Sequence, residues 1–517
     1  MTVEFRTTAQ GALEDFVLAA AVVLTRGRGE DLELYVVHRS PKLRAFPDTW
    51  ALPGGRVDAV DGDARSGDLD AFRACALREL FEETGVAGPG LRGAFANEAE
   101  RDPIRRALTA DEERATDTGA AAWRAVVERS SDPLLGLEPV CWTTTPRISL
   151  RRFRALYVHL ELPEGEVPSI HPGELVDGRF ARPADLLREW RAGELRAVPP
   201  LAFLLESAER HDGDFHAALA DGDSRSRAVD DGGLHAVYQV PGIELAPLLT
   251  PTLPPAVTTN CVLPGHDLLY VVDPATYDVE ERRRLIDHLE RRSESSKLEG
   301  VVVTHHHHDH VGSVAAVAAH FGLPVFGHPL TLERLPETPA DPRPLVCGDR
   351  LPLGTAPDGT DGWELQAIHT PGHDRGHLAF RDSRYGHVIA GDLVSTLSTI
   401  LIDPPEGDLA VYLDSLERVR ATDIGALIPA HGGTAHDGCR LIDSYLRHRE
   451  QRELKLLDAL AQLGPTDERS LLERTYDDVA RELWPMAARS LRAGIDKLVR
   501  EGRVVEEGPM VALVDES

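Results

Sequence analysis

Between Thr304 and His310 the chain reads THHHHDH, directly after the apolar run GVVV. Imidazole is a borderline ligand suited to Zn²⁺ or Fe, and histidines two positions apart on an extended segment project to the same side. One register draws an HxHxDH pattern from the run: His305, His307, Asp309 and His310. His305 and His307 then serve one ion, while Asp309 and His310 face a second. Other His and Asp residues stand where further apolar runs end: Asp273 in YVVDP, His373 in HTPGHDRGH, Asp392 in VIAGD and His431 in IPAHGG. Each alone reads as structural. Their recurrence at the ends of strand-like runs is the pattern of a site built where strands pass into loops. Two ions sharing a water lower its pKa from 15.7 towards about 7, so that it attacks an ester-like bond near neutrality.

A second group is carboxylic. After Gly54-Gly55, the string RELFEETGV puts Glu79, Glu82 and Glu83 at helical positions i, i+3 and i+4, so one helix face carries three carboxylates. Such repulsion destabilises a helix unless a hard divalent cation, itself bridging substrate phosphates, relieves it. Mg²⁺ or Mn²⁺ is the natural occupant, and the bland alternative is a solvated acidic face.

RELFEETGV behind a GG turn resembles the Nudix box, RE-aliphatic-x-EE-x-G-aliphatic. The resemblance implies a hydrolase of nucleoside-linked diphosphates, with Glu79, Glu82 and Glu83 on the metal and Glu82 catalytic. The family's upstream Gly and Glu positions are occupied here by Ala64 and Asp70, and Gly55 lies 23 positions before Arg78, so 57–68 holds an insertion or a rebuilt loop. FPDTWALPGGRVD before the helix, with TTTPRISLRRFRALYV and GELVDGRF after it, look like the CoA-diphosphatase branch. Glu174, in HPGELVDGRF, stands where many Nudix enzymes place a further metal-binding or base carboxylate, and it is the third expected catalytic residue; an exposed loop glutamate is the alternative.

The ordered His and Asp motifs resemble the metallo-β-lactamase fold hydrolases over about 239–436. The family's roles imply one ion on His305, His307 and His373, a second on Asp309, His310 and His431, and Asp392 bridging them. Asp309 is then catalytic as well as a ligand, Asp273 supports the ligands, and the ions are two Zn²⁺, or Fe or Mn. His306, His308, His369 and His377 take no ligand role and contact a ligand or the substrate at most. Between Asp392 and His431 lie too few residues for the large inserted cap domain of the nucleases that process messenger RNA 3′ ends, which excludes that branch. The tail, YLRHREQRELKLLDAL followed by ERTYDDVARELWPMAARSLRAGIDKLVREGRV, looks like the winged-helix end of the lactamase-beta-like endoribonucleases. That likeness implies single-stranded RNA as a substrate class, whereas hydroxyacylglutathione hydrolase on the same fold implies a thioester.

The elements that must carry these groups fall into three textures. From Phe16 to about Glu206, β-rich apolar runs surround one acidic helix over 72–83. A polar Asp, Gly and Ser stretch from 211 reads as a linker or mobile loop, and strand runs return from about 239. Beyond Gly438 come helices over 441–463, 470–476 and 478–501, then a hairpin of RVVEE and MVALV. The expected fold is α/β multi-domain: a Nudix α/β/α sandwich (1–210), a linker (211–238), a metallo-β-lactamase αββα sandwich (239–440), and a helix plus winged helix (441–517). In the tail helix Arg481, Arg489, Arg492, Lys497 and Arg500 alternate with acids, which favours a packing or dimer role over DNA binding.

With 56 basic and 85 acidic residues the 517-residue chain carries a formal charge of -29, which opposes a broad grip on a polyanion. Five scattered cysteines without CxxC indicate neither a disulfide framework nor a thiolate zinc site, and no apolar run is long enough to span a bilayer. The expectation is a cytoplasmic two-headed hydrolase. Its expected partners are a small nucleotide or CoA-type substrate, single-stranded RNA as an alternative substrate, a second copy in a homodimer, and no membrane. The alternative is a nucleotide-sensing regulator with a DNA-binding winged helix, which the intact glutamates and the acidic wing disfavour.

Overall fold

The run FVLAAAVVLTR forms strand β1 (Phe16–Arg26), buried on both faces because helices cover both. The computed structural model describes residues 13–43, 46–114, 117–171 and 173–514, and the chain divides into two units, Met1–Glu244 and Leu245–Ser517. In the first unit β2 (Glu33–Arg39), β3 (Trp50–Ala51) and β4 (Gly54–Arg56) precede helix α1 (Leu69–Thr84), α2 (Arg101–Arg114) and α3 (Thr118–Val127). Strands β5 (Glu138–Thr144), β6 (Arg152–Glu161) and β7 (Leu175–Ala181) follow, then α4 (Pro183–Arg191), α5 (Pro199–Arg210), α6 (Phe215–Asp230) and β8 (Val237–Val240). The sheet runs β3-β2-β1-β6-β5, with β4 added on β1 and β7 on β2, and β1 and β6 are parallel from Phe16↔Arg152 to Thr25↔Glu161.

Alternation along β1 builds the sandwich. Leu18, Ala20, Val22 and Leu24 pack with Phe72, Leu77, Leu80 and Phe81 of α1. Val23 faces the other way, with Val36 of β2, onto Trp190 of α4, Leu205 of α5 and Leu219 of α6. Helix α1 starts at Asp68, whose carboxylate accepts the Asp70 N–H, and stops at Gly85 (φ 72), whose N–H donates to Phe81 O.

The stretch 211–238, expected as a linker, is instead α6 and β8. Its polar texture hid a narrow apolar stripe at helical spacing, Phe215, Ala218 and Leu219, which is buried in the same core as α5. Asp214 caps α6, and at its other end Asp230 forms an ion pair with Arg154 (2.8 Å), both buried. The expected boundary at 210 therefore falls inside one core.

The second unit holds two sheets. One contains β9 (Ile243–Leu249), β10 (Thr258–Pro264), β11 (Leu268–Val272) and, after α7 (Val279–Ser293), β12 (Lys297–Val302). Short α8 (His308–Val311) and α9 (Val314–Phe321) lead to β13 (Val325–Gly327), α10 (Pro329–Leu332) and β14 (Pro342–Pro344), giving the order β14-β13-β12-β11-β10-β9. The other runs β15 (Arg350–Thr355), β16 (Asp361–His369), β17 (Leu378–Asp382), β18 (Val388–Gly391) and, after α11 (Leu409–Arg420), β19 (Leu427–Pro429). The tail is α12 (Gly438–Leu463), β20 (Thr466–Asp467), α13 (Glu468–Thr475), α14 (Trp484–Arg500), and the hairpin β21 (Val504–Glu507) with β22 (Met510–Leu513). The helix expected over 478–501 begins only at Trp484, because Pro485 suits a first turn and not an interior one.

Candidate metal centres

The histidine cluster is built on segments that follow strand ends, with Asp309 and His310 on short helix α8. Thr304, past β12, gives its N–H to Asp273 Oδ1 (2.8 Å) and its hydroxyl to Oδ2 (2.6 Å). Asp273 itself lies past the parallel neighbour β11, with a left-handed φ of 49. His305 and His307 follow on extended chain. His307 Nδ1 lies 2.9 Å from His305 Nε2 and 3.0 Å from His373 Nε2, the latter carried by the β16–β17 turn. Helix α8 brings Asp309 and His310 back towards the strand ends. His310 Nδ1 donates to Asp273 Oδ2 (2.8 Å), and its Nε2 lies 3.6 Å from Asp392 Oδ1. Asp392, after β18, also reaches within 3.4 Å of His373 Nε2 and 3.3 Å of His431 Nε2. His431, after β19, donates from Nδ1 to Thr258 O (3.0 Å), and its Nε2 is 3.6 Å from Asp309 Oδ2.

Three overlapping donor groups result: His305, His307 and His373; His305, His310 and Asp392; Asp309, His310 and His431. An ion bound tetrahedrally at about 2.1 Å keeps its donors about 3.4 Å apart, close to the separations found. His310 Nε2 and Asp392 Oδ1 are buried and have no hydrogen-bond partner among the described residues. Leaving such atoms unpaired costs about 1–3 kcal/mol each, which a divalent cation removes. The donor set therefore fits two ions, and the oxygen fixed to the second nitrogen of His310, His373 and His431 sets which nitrogen faces them.

The electrostatics differs between the two proposed ion groups. Burial, then the neighbouring imidazoles of His310, His307 and His373, hold His305 well below the usual histidine range, and burial with His373 takes His307 down to about 4. Both are neutral at pH 7, as ligands must be. Burial opposes charge on His310 and His431 too, but Asp392, joined at His310 by Asp273, outweighs it and raises both pKa values, so an ion on these rings must displace a proton.

His377, expected to contact a ligand or the substrate at most, supports Asp392, and Asp374 is a supporting group that the sequence did not single out. The Asp392 N–H donates to His377 Nε2 (3.0 Å), so the His377 proton sits on Nδ1, against the Thr370 hydroxyl (2.7 Å). Asp374, fully buried, lies 2.7 Å from His306 Nδ1, which ties the His373 turn to the HxHxDH segment. The only signal for Asp374 was its place beside His373 in the motif.

At the carboxylate helix, Glu79, Glu82 and Glu83 share the α1 face that meets β4. A Cβ on Gly55 would come within 2.5 Å of the Glu79 carboxyl group, and Glu83 Oε2 accepts the Gly54 N–H (2.9 Å), so the two glycines are what lets the backbone approach. Burial, then repulsion from Glu79, raises the Glu83 pKa well above the usual range. Arg78 Nη1 lies 2.9 Å from Glu79 Oε1 and 3.5 Å from Glu82 Oε2. Among the described residues the glutamates form no donor group as tight as the histidine cluster.

The other edge of Arg78 grips Asp61 through Nε (2.9 Å) and Nη2 (2.9 Å). The long loop thus supplies a carboxylate to the arginine, while Asp70 pairs on the surface with Arg73 (2.6 Å). Arg105 of α2 adds a donor to Glu82 O (2.6 Å) and another to Glu83 O. Neither Asp61 nor Arg105 was expected from the sequence. Glu174 lies in the exposed turn before β7; its carbonyl accepts the Ser40 N–H (2.7 Å), next to Arg39, whose charge acts on Glu83.

Layered α/β units that carry these two clusters define a hydrolase of metal-binding type. Residues 254–431 match the Metallo-beta-lactamase superfamily, 15–115 the NUDIX domain and 469–509 the Beta-lactamase associated winged helix domain, so the chain is a fusion of these three. It is 27% identical over 223 residues to the Beta-lactamase-like protein 2 homolog of Drosophila melanogaster, covering 41% of this chain and 72% of that one. It is 34% identical over 161 residues to the hydroxyacylglutathione hydrolase of Aeromonas hydrophila, covering 31% of this chain and about half (54%) of that protein. Among solved structures, the NUDIX hydrolase of Alicyclobacillus acidocaldarius is similar at 25% identity with a TM-score of 0.31, covering 38% of this chain and 92% of that one. Among the described residues no helix is long and apolar enough to cross a membrane.

Proposed function

We propose that the two hydrolase sites act on different bonds: a nucleoside-linked diphosphate of CoA type at the α1 carboxylates, and a thioester at the histidine cluster. The observation that carries the second assignment is the set of three overlapping donor groups formed by seven His and Asp residues, Asp392 among them, with His310 Nε2 and Asp392 Oδ1 buried and unpaired. Bound divalent ions polarise the scissile bond and lower the pKa of the attacking water. His305, His307 and His373 would hold one ion and Asp309, His310 and His431 the other, with Asp392 within reach of both groups. Asp309, the least buried of the Asp and His ligands beside His307, is placed to accept a proton from the water. At the first site Glu79, Glu82 and Glu83 hold Mg²⁺ or Mn²⁺, with Glu82 and Glu174 as the catalytic carboxylates. The net charge of -29 weakens RNA as the substrate, and the likeness to a hydroxyacylglutathione hydrolase favours a thioester.

Single-stranded RNA is the second reading for the histidine site, favoured by the winged-helix match. The cytoplasm, where free Cys347 and Cys439 on the surface stay reduced, belongs to the same proposal. The test is a panel of acyl-CoA thioester, free CoA, ADP-ribose and fluorescent single-stranded RNA, run on wild type, Glu82→Gln and Asp309→Ala with metal supplied. The expected result is thioester cleavage lost only in Asp309→Ala and diphosphate cleavage lost only in Glu82→Gln. RNA cleavage without thioester cleavage replaces the first reading by the second.

A further inference from the structure

Loop 400–408, between β18 and α11, holds none of the expected ligands but touches the His373 turn at four points, one of them the Arg375 N–H on Glu406 Oε1 (3.3 Å). Leu401 O accepts the His373 Nδ1–H (2.8 Å), the Asp408 N–H donates to Gly372 O (2.7 Å), and Arg375 Nη2 donates to Pro405 O (2.7 Å). The loop in turn is gripped from the tail. Arg449 of α12 donates to Ile400 O. From α14, Arg489 Nη1 meets Asp403 Oδ2 (2.8 Å), and Arg500 holds Asp408 bidentately (2.6 and 2.7 Å). Beneath these polar contacts Ile400 and Ile402 share one buried cluster with Tyr445 of α12 and Ala493 of α14. The remaining bases of α14 are also engaged within the tail: Arg492 by Glu468, Asp496 and Glu506, and Lys497 by Glu453 and Glu501.

We infer that the winged helix is a positioning element for the binuclear site: Arg489 and Arg500 of α14 fix loop 400–408 and, through the Leu401 carbonyl, the ring of His373. The inference rests on the reading of His305, His307 and His373 as an ion site. Arg489 and Arg500 are positioning residues, since neither touches the cluster. The geometry sets the size of the effect. A contact that orients a ligating histidine is worth about 10–100-fold in metal affinity, and an exposed ion pair carries at most about a five-fold share of such a term. Removing both pairs should therefore weaken binding about ten-fold.

The test is competition for Zn²⁺ between the full-length protein and a chromophoric chelator, with circular dichroism melts to confirm folding. Wild type is expected to hold Zn²⁺, and Arg489→Ala/Arg500→Ala to hold it about ten-fold more weakly. Arg489→Lys/Arg500→Lys should recover most of the loss. Arg492→Ala, which breaks pairs inside the winged helix without touching the loop, should bind as wild type does. Equal affinity in the double alanine variant and wild type overturns the inference, and so does an equal loss in Arg492→Ala. A wild-type chain that holds no Zn²⁺ overturns the ion-site reading and the inference with it.

Discussion

Three donors converge on Asp273: the Thr304 N–H, the Thr304 hydroxyl and the His310 Nδ1–H. An asparagine there keeps the shape but loses one acceptor oxygen, and the His310 ring loses the carboxylate that keeps Nε2 free for an ion. Asp273→Asn should lower Zn²⁺ affinity about 10–100-fold with the melting temperature little changed; chelator competition measures it. At the other site Gly55 is the sensitive position. A methyl group would stand 2.5 Å from the Glu79 carboxyl atoms, so Gly55→Ala should abolish diphosphate cleavage in a protein that still folds. An activity assay beside a circular dichroism spectrum decides this, and wild-type diphosphate turnover in Gly55→Ala would contradict the geometry.

Among the elements, α6 shows most clearly how packing overrides texture. The Arg154–Asp230 pair anchors its C-terminal end against β6, and Arg154 is fully buried. Removing one partner of a buried pair costs about 3–5 kcal/mol, so Asp230→Asn should lower the stability of the first unit by about 3 kcal/mol in urea unfolding. The segment after α6 carries a pH dependence. Burial, then the charges of Arg225 and Arg152, push the His235 pKa down to about 3. The unfolded chain takes up that proton near pH 6.5 and the folded one only near 3, so stability falls as pH drops through this window and is intact above it. The melting temperature should fall more between pH 7 and pH 5 in wild type than in His235→Gln.

Taken as a molecule, the chain carries the carboxylate residues of one proposed site in its first unit and the His and Asp residues of the other in its second, which is why the single-site variants should separate the two activities. The His and Asp residues that come together, the three glutamates of α1 and the winged-helix tail were all legible in the sequence, because each depends on spacing within a few residues of a strand end or along a helix. The same locality placed α1 within three residues of its observed start. What only the tertiary structure decided are the partners that come from far along the chain: Asp61 for Arg78, Leu401 for His373, Asp230 for Arg154, and the loop acids that occupy Arg489 and Arg500. A side chain's type states what it can bind, but which group meets it follows from how the layers pack, and no local period records that.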